Sequence, residues 1–436
     1  MASDIVARLK KLESDAGFIE RFSCVESSSW IAIKNLLLQT EMIEVKEEYP
    51  HKRQLASLRG LMLILRSSIY YFLKIFKFQK KSIFLGASSG LFFNNGQILD
   101  SYFPYSEVDP KSVFYMLNCA DFDHLTKMKS YFRNHKIVME NFLVGPIKVI
   151  LGRLWAEAAW FSSNKQLDAA YETMSREFRL SKKALYLAHY KFIAGNWAFR
   201  IFFAPLRMNN AYVVSAYTKS DLVSALKRKG VHVTEIQHGF VGRSHPGYNY
   251  NLPQGVLPTP DEVFVYNEFW KDELARAGYY QPAQIKITGR LKYDLVEKKA
   301  GQLEASIIVF TGQGAFYNEI SQFFKESDAE LGARNIQLIY KAHPRETSED
   351  LANLAKAIAG LSNVSIYQGE HGTEFLIKNS LAHISIFSSC HFDAIHFLNK
   401  TFILDVMKDN FLNPYCLEYP DQYLKISKID EVIRMI

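Results

Sequence analysis

Short apolar runs recur in the second half of the chain: SIIVFTG (Ser306–Gly312), IQLIYKAHP (Ile336–Pro344), VSIYQGE (Val364–Glu370), AHISIFSS (Ala382–Ser389) and TFILDV (Thr401–Val406). Helical patterns lie between them, at Phe316–Lys325, Asp350–Gly360, Thr373–Asn379 and Phe392–Leu398. Runs this apolar suit strands that are buried on both faces, and their alternation with helices is typical of a parallel sheet. The pattern therefore predicts a doubly wound, Rossmann-like α/β domain with five strands.

The same alternation begins earlier in the chain. Strands are predicted at AYVVSAY (Ala211–Tyr217), VHVTEIQ (Val231–Gln237), EVFVY (Glu262–Tyr266) and IKITGR (Ile285–Arg290), with helices at Lys219–Lys229 and Glu268–Gly278. Ser220 or Asp221 would cap the first of these helices, and Gly230 would end it. Further upstream, SIFLG (Ser82–Gly86) has the pattern of a buried strand, and residues 148–196 read as largely helical.

A polar stretch without strand character, Leu291–Ser306, separates the two alternating regions. We place the domain boundary there, which gives an N-terminal domain of residues 1–298 with helical additions and a C-terminal domain of residues 299–436. One hydrophobic core rarely organises more than about 250 to 300 residues, and this chain has 436. We expect two Rossmann-like domains that face each other across a cleft.

Composition is that of a folded protein, with 48% apolar and 22% charged residues. The N-terminus, MASDIVARLKKLESD, lacks the apolar core of a secretory signal and carries acidic residues, so we expect a cytoplasmic protein. The cysteines lack metal-ligand spacing, which favours buried thiols: Cys24, Cys119, Cys390 and Cys416. The net charge of +7 is diffuse and no groove-reading motif is present, which disfavours nucleic-acid binding.

One segment combines aromatic and basic residues: Leu58–Lys81, LRGLMLILRSSIYYFLKIFKFQKK. No uninterrupted apolar run in it reaches the roughly 18 to 20 residues that span a bilayer. Two interpretations remain. The segment suits a helix that lies on the inner-membrane surface, which would make the protein a peripheral membrane protein. It equally suits a core helix with a basic solvent face.

Polar clusters follow the predicted strands of the C-terminal domain. They are Thr311-Gly312-Gln313-Gly314, Lys341 with His343-Pro344-Arg345, Glu370, and Ser388-Ser389. Because the carboxyl ends of parallel strands meet at one edge of a sheet, these clusters should gather there. Glycines let backbone N–H groups approach a phosphate, and serine hydroxyls can donate to it. The alternative is that the two serines only cap the following helix.

His343 is the most informative of these residues because Pro344 restricts it to an extended conformation at the strand end. An imidazole held there could donate to a phosphate oxygen and, when protonated, stabilise a departing nucleotide. A lone histidine is often structural, but Lys341 and Arg345 lie beside this one. Glu370 could accept hydrogen bonds from ribose hydroxyls. Its carboxylate could also cap the N-terminus of the next helix and stabilise it by its negative charge.

A second cluster, EIQHGFVGRSHPGY (Glu235–Tyr248), follows a strand of the N-terminal domain. Strand alternation places Glu235 and Gln237 on one face, where they could share a polar site. Glu235 or His238 could remove a proton from a sugar hydroxyl. Arg243 would suit an acidic acceptor, with His245 beside it. The alternative is a glycine-rich loop with solvated histidines.

The order of these motifs, QHG and HPGY, then ITGR, then KAHPRE, then FSS before a helix, resembles bacterial GT-B glycosyltransferases of surface polysaccharide assembly. It is most similar to enzymes that use CMP-activated acidic sugars: Kdo transferases of capsule and lipopolysaccharide, and bacterial sialyl- and polysialyltransferases. The resemblance covers roughly Ala211–Val406. It implies a metal-independent enzyme without a cofactor, whose substrates are a CMP-sugar donor and a glycan or glycolipid acceptor.

The resemblance also implies residue roles. His343-Pro344 would contact the CMP phosphate and cytidine, Ser388-Ser389 would hold the phosphate, and Glu235 would be the carboxylate of the acceptor side. In one position the chain departs from the retaining Kdo transferases, which place an aspartate nucleophile where this sequence has Thr311-Gly312-Gln313. An amide is no efficient nucleophile, so an inverting displacement with Glu235 or His238 as base is the expectation.

Two alternatives remain open. The first is a GT-B transferase that uses a UDP or CDP donor, including glycerophosphate transferases, which also carry an HP motif. The second is a nucleotide-binding subunit of a capsule assembly complex that has the fold without the activity. The sequence does not specify the sugar, the acceptor, the anomeric outcome or the oligomeric state.

Overall fold

The computed structural model describes residues 2–15, 29–43, 82–87, 90–94, 97–118, 138–139, 144–162, 165–298, 306–343, 346–408 and 410–436. The chain divides into two compact units, Asp4–Leu291 and Lys292–Ile436. Segment 58–81, Pro344 and Arg345 lie outside the described residues. None of the helices in the part of the chain that the structure describes is both long enough and apolar enough to cross a membrane.

The N-terminal unit contains a group of strands, then a group of helices, and from Asn210 onward strands that alternate with helices. In chain order they are α1 (Ala2–Glu13), α2 (Ser29–Ile43), β1 (Ser82–Ala87), β2 (Leu91–Asn94), β3 (Gln97–Asp100), β4 (Val113–Asn118), β5 (Val138–Met139), α3 (Gly145–Ser162), α4 (Lys165–Phe178), α5 (Lys182–Phe203), β6 (Asn210–Val214), α6 (Ser220–Arg228), β7 (His232–Ile236), β8 (Glu262–Val265), α7 (Glu268–Arg276) and β9 (Ile285–Ile287). Short 3₁₀ helices lie at Ala216–Lys219 and Pro246–Tyr248.

A parallel sheet organises this unit, and its described strands run in the order β5-β4-β1-β6-β7-β8-β9. Strand β1 lies inside the sheet, where Ile83, Phe84 and Leu85 are buried and pack on both faces. Successive strands extend the sheet first to one side of β1 and then, from β6 onward, to the other. This reversal between β1 and β6 is the topological switch point of a doubly wound fold.

The chain continues as α8 (Leu291–Lys298), β10 (Ile307–Thr311), α9 (Tyr317–Ala333), β11 (Gln337–Lys341), α10 (Ser348–Ala357), β12 (Val364–Ile366), α11 (Thr373–Lys378), β13 (Ala382–Ser385), α12 (Cys390–Leu398), β14 (Thr401–Leu404), α13 (Asn413–Glu418), β15 (Tyr423–Ile426) and α14 (Ile429–Ile433). The strands β10 to β15 form a second parallel sheet in the order β12-β11-β10-β13-β14-β15. Its switch point lies between β10 and β13.

The predicted α/β class with two Rossmann-like sheets is confirmed by these two strand orders. The C-terminal sheet has six strands among the described residues instead of the predicted five. The additional strand, β15, has the sequence YLKI and pairs only with β14, and its two middle residues are less buried than its ends. An edge strand of this kind lacks the continuous apolar run by which the other strands were identified.

Helix α6 was predicted with correct limits but with the wrong start signal. Gly230, at φ +77°, ends it as expected, because glycine adopts this left-handed conformation at low cost. At the other end, the 3₁₀ turn Ala216–Lys219 leads directly into the helix, and neither Ser220 nor Asp221 is its N-cap residue. Because the chain enters α6 from an existing helical turn, no separate side-chain cap forms there.

Candidate functional site

The predicted polar clusters of the C-terminal unit lie at the carboxyl ends of four neighbouring strands, β12, β11, β10 and β13. Thr311 is the last residue of β10 and Lys341 the last of β11. Ser388 and Ser389 follow β13 and precede α12. The prediction that these groups gather along one edge is confirmed by the strand order. Thr311–Gly314 and the two serines flank the switch point between β10 and β13, where open α/β sheets bind ligands.

Gly312 has no room for a side chain. A Cβ atom at this position would overlap the hydroxyl of Tyr340 and would lie 2.5 Å from Oε1 of Glu346. The amide of Gly312 donates to the carbonyl of Lys341 at 2.9 Å, which fixes the turn beside β11. Gly314 follows with φ at +71°. Only glycine therefore allows the backbone to turn tightly at the switch point.

Glu346 organises the corner that contains His343. Its Oε1 accepts a 2.6 Å hydrogen bond from the His343 amide, and its Oε2 accepts bonds of 2.9 Å from the hydroxyls of Tyr317 and Tyr340. Burial raises the pKa of this carboxyl, and the three donors oppose that shift. The half-buried His343 is therefore held at the end of β11 by a carboxylate that also touches the Gly312 turn.

Lys341 supplies positive charge at the same edge. Its ammonium lies 4.8 Å from the ring centroid of Tyr367, a cation–π distance, and burial lowers its pKa. Glu370, predicted to contact ribose, is exposed beyond the end of β12. The side-chain amide of Gln313 donates to the carbonyl of the preceding residue, Gly312, at 2.8 Å, so this side chain is bonded within the turn.

The two serines differ in environment. Ser388 is buried, and its hydroxyl accepts a 3.1 Å hydrogen bond from the amide of Cys390 in the first turn of α12. Ser389 is exposed, and its side chain makes no capping bond to the helix. The capping role that the sequence left open therefore belongs to Ser388, and Ser389 is the serine whose hydroxyl faces solvent at the start of α12.

A buried polar network lies in the sheet beneath this edge. The Oγ1 of Thr311 is 2.9 Å from Nε2 of His383, whose Nδ1 is 2.9 Å from Oγ1 of Thr401. His391 of α12 also approaches Thr401, with its Nδ1 at 2.7 Å. Burial lowers the pKa of both imidazoles, which keeps them neutral. The hydroxyl of Thr311 is thus bonded to His383, and its carbonyl accepts a 2.6 Å hydrogen bond from the hydroxyl of Ser385.

In the N-terminal unit, Glu235 is 1% exposed near the end of β7. Its Oε1 accepts hydrogen bonds from the amide of Ala216, at 3.0 Å, and from the hydroxyl of Tyr248, at 2.7 Å. Burial raises the pKa of Glu235 to about 7, and these two donors oppose the shift. A carboxylate that titrates near neutral pH can accept and release a proton under physiological conditions.

The backbone conformation of Ser215 allows the first of these hydrogen bonds, from the Ala216 amide to Glu235. Ser215 has φ +55°, a left-handed conformation that costs free energy for a residue with a side chain. It turns the chain sharply after β6, so that the amide of Ala216 points at the neighbouring strand β7. The strain is thus located at the carboxyl edge of the sheet, next to the buried carboxylate.

An aromatic cluster covers Glu235. The ring centroid of Tyr217 lies 4.8 Å from that of His245 and 5.5 Å from that of Tyr248. The Nδ1 of His245 accepts from the Gly247 amide at 3.0 Å, and burial lowers the pKa of His245, which keeps it neutral. His238 is half-buried, with its ring 6.0 Å from that of Tyr217. Of the predicted histidines, His238 is half-buried, and His245 is buried with the environment of a structural residue.

Two residues predicted to bind the acceptor make bonds within the protein. Gln237 is fully buried, and its side chain donates to the Gly239 carbonyl at 2.8 Å and accepts from the Tyr266 amide at 2.9 Å. Arg243 lies with Nε 3.3 Å from Oε2 of the buried Glu273. Both side chains thus hold the loop after β7 onto β8 and α7.

A cleft of about 400 Å³ lies beside α6 and the loop 254–261, within the N-terminal unit. Its lining is mostly polar and includes Ser224, Lys227, Arg228, Gln254, Thr259 and Gln284. A smaller pocket shares Pro258, Thr259, Pro260 and Tyr280 with this cleft and is lined also by Glu235 and Tyr217. Its volume of about 10 Å³ is room for about one water molecule. The cleft thus adjoins the pocket of the buried carboxylate.

The loop over Glu235 is fastened from outside by a buried ion pair. Lys34 of α2 lies 2.8 Å from Glu13 of α1, and both side chains are at most 2% exposed. Lys34 also donates to the carbonyl of Asn249, and Oε2 of Glu13 accepts from the amide of Asn251 at 2.6 Å. Helices α1 and α2 therefore hold the segment that carries Tyr248.

Several residues of these sites were not identified from the sequence: Glu346, Tyr340, Tyr317, Tyr248, Tyr217, Lys34 and Glu13. Glu346 had a usable signal, because a carboxylate three residues after His343 can accept from its amide, as in a capping interaction. The tyrosines had none, since their partners lie in other segments of the chain.

No protein-family model matches the chain, and no curated protein matches its sequence. Solved structures with a similar backbone include the UDP-GlcNAc 2-epimerase from Neisseria meningitidis bound to UDP-GlcNAc (TM-score 0.46, 11% identity, 81% of this chain and 90% of that chain covered). Similar values hold for the UDP-GlcNAc 2-epimerase from Methanocaldococcus jannaschii (0.46, 12%, 80% and 89%). They hold also for CalG4, the calicheamicin glycosyltransferase (0.44, 10%, 80% and 86%). The strand orders of the two sheets define the fold of this chain.

Proposed function

We propose that this protein is a glycosyltransferase that uses a nucleotide-activated sugar. The observation that carries the proposal is the buried Glu235, which lies near the carboxyl end of β7 and whose pKa burial raises to about 7. General base catalysis is most effective when the pKa of the base is close to the working pH. A carboxylate of this kind can take the proton of a sugar hydroxyl.

The donor site is assigned to the C-terminal unit, at the switch point between β10 and β13. The Gly312 turn allows backbone amides to approach a phosphate, as glycine-rich turns after a first strand do in nucleotide-binding sheets. Lys341 and His343 at the neighbouring strand end provide donors and positive charge for the leaving nucleotide. Ser389 adds an exposed hydroxyl at the start of α12.

The reaction proposed is a single displacement. The acceptor hydroxyl loses its proton to Glu235 while its oxygen bonds to the anomeric carbon. The bond from that carbon to the donor phosphate breaks, and its electron pair leaves with the nucleotide. Gln313 takes no part as a nucleophile, since its amide is bonded to the carbonyl of Gly312. The acceptor is assigned to the carboxyl edge of the N-terminal sheet, beside Glu235.

For the donor we propose a CMP-activated acidic sugar, such as Kdo or a sialic acid, and for the acceptor a lipopolysaccharide or capsule glycan. The support is the order of the QHG, HP and serine motifs described under Sequence analysis. The cations Lys341 and His343 are compatible with any nucleoside mono- or diphosphate. UDP and CDP donors are therefore the competing assignments that the experiment must separate.

The test titrates the full-length protein with CMP, CDP and UDP by calorimetry and then measures nucleotide release from CMP-sialic acid, CMP-Kdo, CDP-glycerol and UDP-sugars. We expect CMP to bind most tightly, His343→Ala to weaken it by about tenfold or more, and a CMP-sugar to be the donor consumed. Since CDP-glycerol also yields CMP, mass spectrometry of the second product identifies the group transferred. Tightest binding of UDP would overturn the CMP assignment, and absence of binding by all three nucleotides would overturn the function.

A further inference from the structure

Helix α3 turns an apolar face away from the protein. Of its residues, Gly152 and Ala156 are buried. On the opposite side, Ile150 is 60% exposed, Leu154 56% and Phe161 87%. With Ile147 they recur at intervals of three, four and seven residues, which places them in one stripe along the helix. Buried residues of an amphipathic helix normally follow this spacing, whereas here the exposed ones do.

Helix α5 extends this surface. The indole rings of Trp155 and Trp197 meet edge to face with centroids 6.4 Å apart, and Trp197 is 45% exposed. Ile201, one turn further along α5, is 55% exposed. We name the exposed set the α3–α5 apolar face: Ile147, Ile150, Leu154, Phe161, Trp197 and Ile201.

Helix α3, which carries most of this face, is packed closely against α5 and is tied to α6 by an ion pair. Gly152 packs so closely on α5 that a Cβ atom there would lie 2.7 Å from the Cα of Lys191. Lys148 forms an ion pair with the buried Asp221 of α6, which anchors the first turns of α3. The exposed apolar side chains thus belong to helices that are packed against the rest of the unit. They are exposed in the folded state.

Charges beside the face are mainly positive. Arg153 has a side chain 75% exposed and Arg200 is exposed on α5. The acid on this side of α3 is Glu157, whose Oε1 lies 3.6 Å from Nε of Arg153. Tryptophan and aliphatic side chains can enter the boundary between headgroups and acyl chains, and arginine is attracted to anionic lipid headgroups.

We propose that the α3–α5 apolar face docks on the surface of an anionic lipid bilayer. The apolar side chains enter the boundary between headgroups and acyl chains, and Arg153 and Arg200 contact lipid phosphates. A second copy of the chain is the competing occupant of the face, and sedimentation velocity distinguishes it from lipid. The inference is independent of the proposed function and concerns residues other than segment 58–81.

The test measures co-sedimentation of the full-length protein with vesicles of phosphatidylglycerol and phosphatidylcholine, against phosphatidylcholine alone. The variant Leu154→Ser/Phe161→Ser should lower the partition coefficient by about tenfold or more, because two large apolar side chains no longer leave water. The matched control Leu381→Ser/Leu417→Ser changes side chains 44% and 85% exposed elsewhere and should bind as the parent does. Arg153→Glu/Arg200→Glu should weaken binding to the anionic vesicles. The binding that remains should depend less on the salt concentration.

Three results would overturn the inference. The parent protein could fail to bind anionic vesicles. The Leu154/Phe161 variant could bind as well as the parent, while a variant with Lys74, Lys77, Lys80 and Lys81 changed to Glu loses binding, which would assign the contact to segment 58–81. Sedimentation velocity could show a dimer that the Leu154/Phe161 substitutions dissociate while vesicles do not bind, which would assign the face to self-association.

Discussion

The hydroxyl of Tyr248 donates a 2.7 Å hydrogen bond to the carboxylate of Glu235, although the two residues are 13 positions apart and separated by a glycine-rich loop. The loop folds back over the end of β7, and Lys34 holds it through the carbonyl of Asn249. The same oxygen of Glu235 accepts from the Ala216 amide. The two donors and the positive charge of Lys219 favour the ionised carboxylate, but burial outweighs them and raises the pKa of Glu235.

Replacement of Glu235 by glutamine should separate its chemical role from its structural one. Both observed bonds end on Oε1, so the amide oxygen of Glu235→Gln can still accept them. Nucleotide binding and thermal stability at pH 6 should stay near the parent values, while turnover falls by about 100-fold or more, since the base is lost. A variant that retains parental turnover would exclude Glu235 as the base.

The pH dependence of stability gives an independent check on the same residue. Burial raises the pKa of Glu235 from 4.5 to about 7, so the folded state binds this proton more tightly than the unfolded state does. The free energy of unfolding should therefore fall as the pH rises from about 4.5 through 7, and this slope should be reduced in Glu235→Gln. Turnover, which needs the carboxylate, should instead rise over the same interval. Denaturant unfolding at several pH values measures the first effect.

Tyr248→Phe should raise the pKa of Glu235 further, because the hydrogen bond from Tyr248 favours the ionised carboxylate. We expect the acidic limb of the pH–rate profile to move to higher pH and the protein to lose about 1 to 2 kcal/mol of stability. Tyr266→Phe, which removes a hydroxyl bonded to the Gln237 carbonyl, serves as the control that should leave the limb in place. An unmoved limb in Tyr248→Phe would contradict the assignment of the profile to Glu235.

Gly312→Ala should damage both the fold of the donor site and nucleotide binding. The added methyl group would overlap the hydroxyl of Tyr340, and we expect about 1 to 3 kcal/mol of destabilisation with weaker binding of the preferred nucleotide. Gly145→Ala is the matched control, because a Cβ atom there meets no atom within 4 Å. Equal effects of the two substitutions, measured by thermal unfolding and calorimetry, would argue against a tight turn at Gly312.

Glu346→Gln should destabilise the corner at His343 by about 2 kcal/mol, because one end of the amide can no longer accept the bonds that the carboxylate accepts. Nucleotide affinity should fall with it, since His343 loses its fixed position. Glu370→Gln, an exposed carboxylate at the neighbouring strand end, should leave stability unchanged. If Glu346→Gln bound nucleotide as the parent does, positioning by Glu346 would not contribute to the site.

Lys34→Met should cost about 3 to 5 kcal/mol, since it leaves the buried carboxylate of Glu13 without its cation. The double variant Glu13→Gln/Lys34→Met should lose less than the sum of the two single variants, which a double-mutant cycle measures by denaturant unfolding. Additive losses would show that the two residues do not interact. Because Glu13 and Lys34 also bind the backbone of Asn251 and Asn249, the single variants should also lower turnover through the loop over Glu235.

Elements with a strong local pattern were predictable. The strands β7, β8 and β10 to β14 lie within the predicted runs, and β6 begins one residue before its run, since apolar side chains buried on both faces leave a continuous signature. The hairpin of β2 and β3, the short β5 and the edge strand β15 were not predicted. Helix α9 extends to Ala333, beyond the predicted end at Lys325. Its last turns are mostly polar and were therefore not recognised, but they bury Leu331.

The sequence by itself determined the α/β class, the alternation of its elements and the polar clusters at the strand ends, because periodicity and turn residues act over a few positions. Only the tertiary structure decided which members of those clusters are buried and which are bonded within the protein. Gln237 and Ser388 satisfy backbone groups, His245 is buried among tyrosines, and Glu235 is withdrawn from water. These outcomes depend on contacts between segments far apart in the chain, and desolvation, which sets the pKa of Glu235, exists only once those segments have packed together.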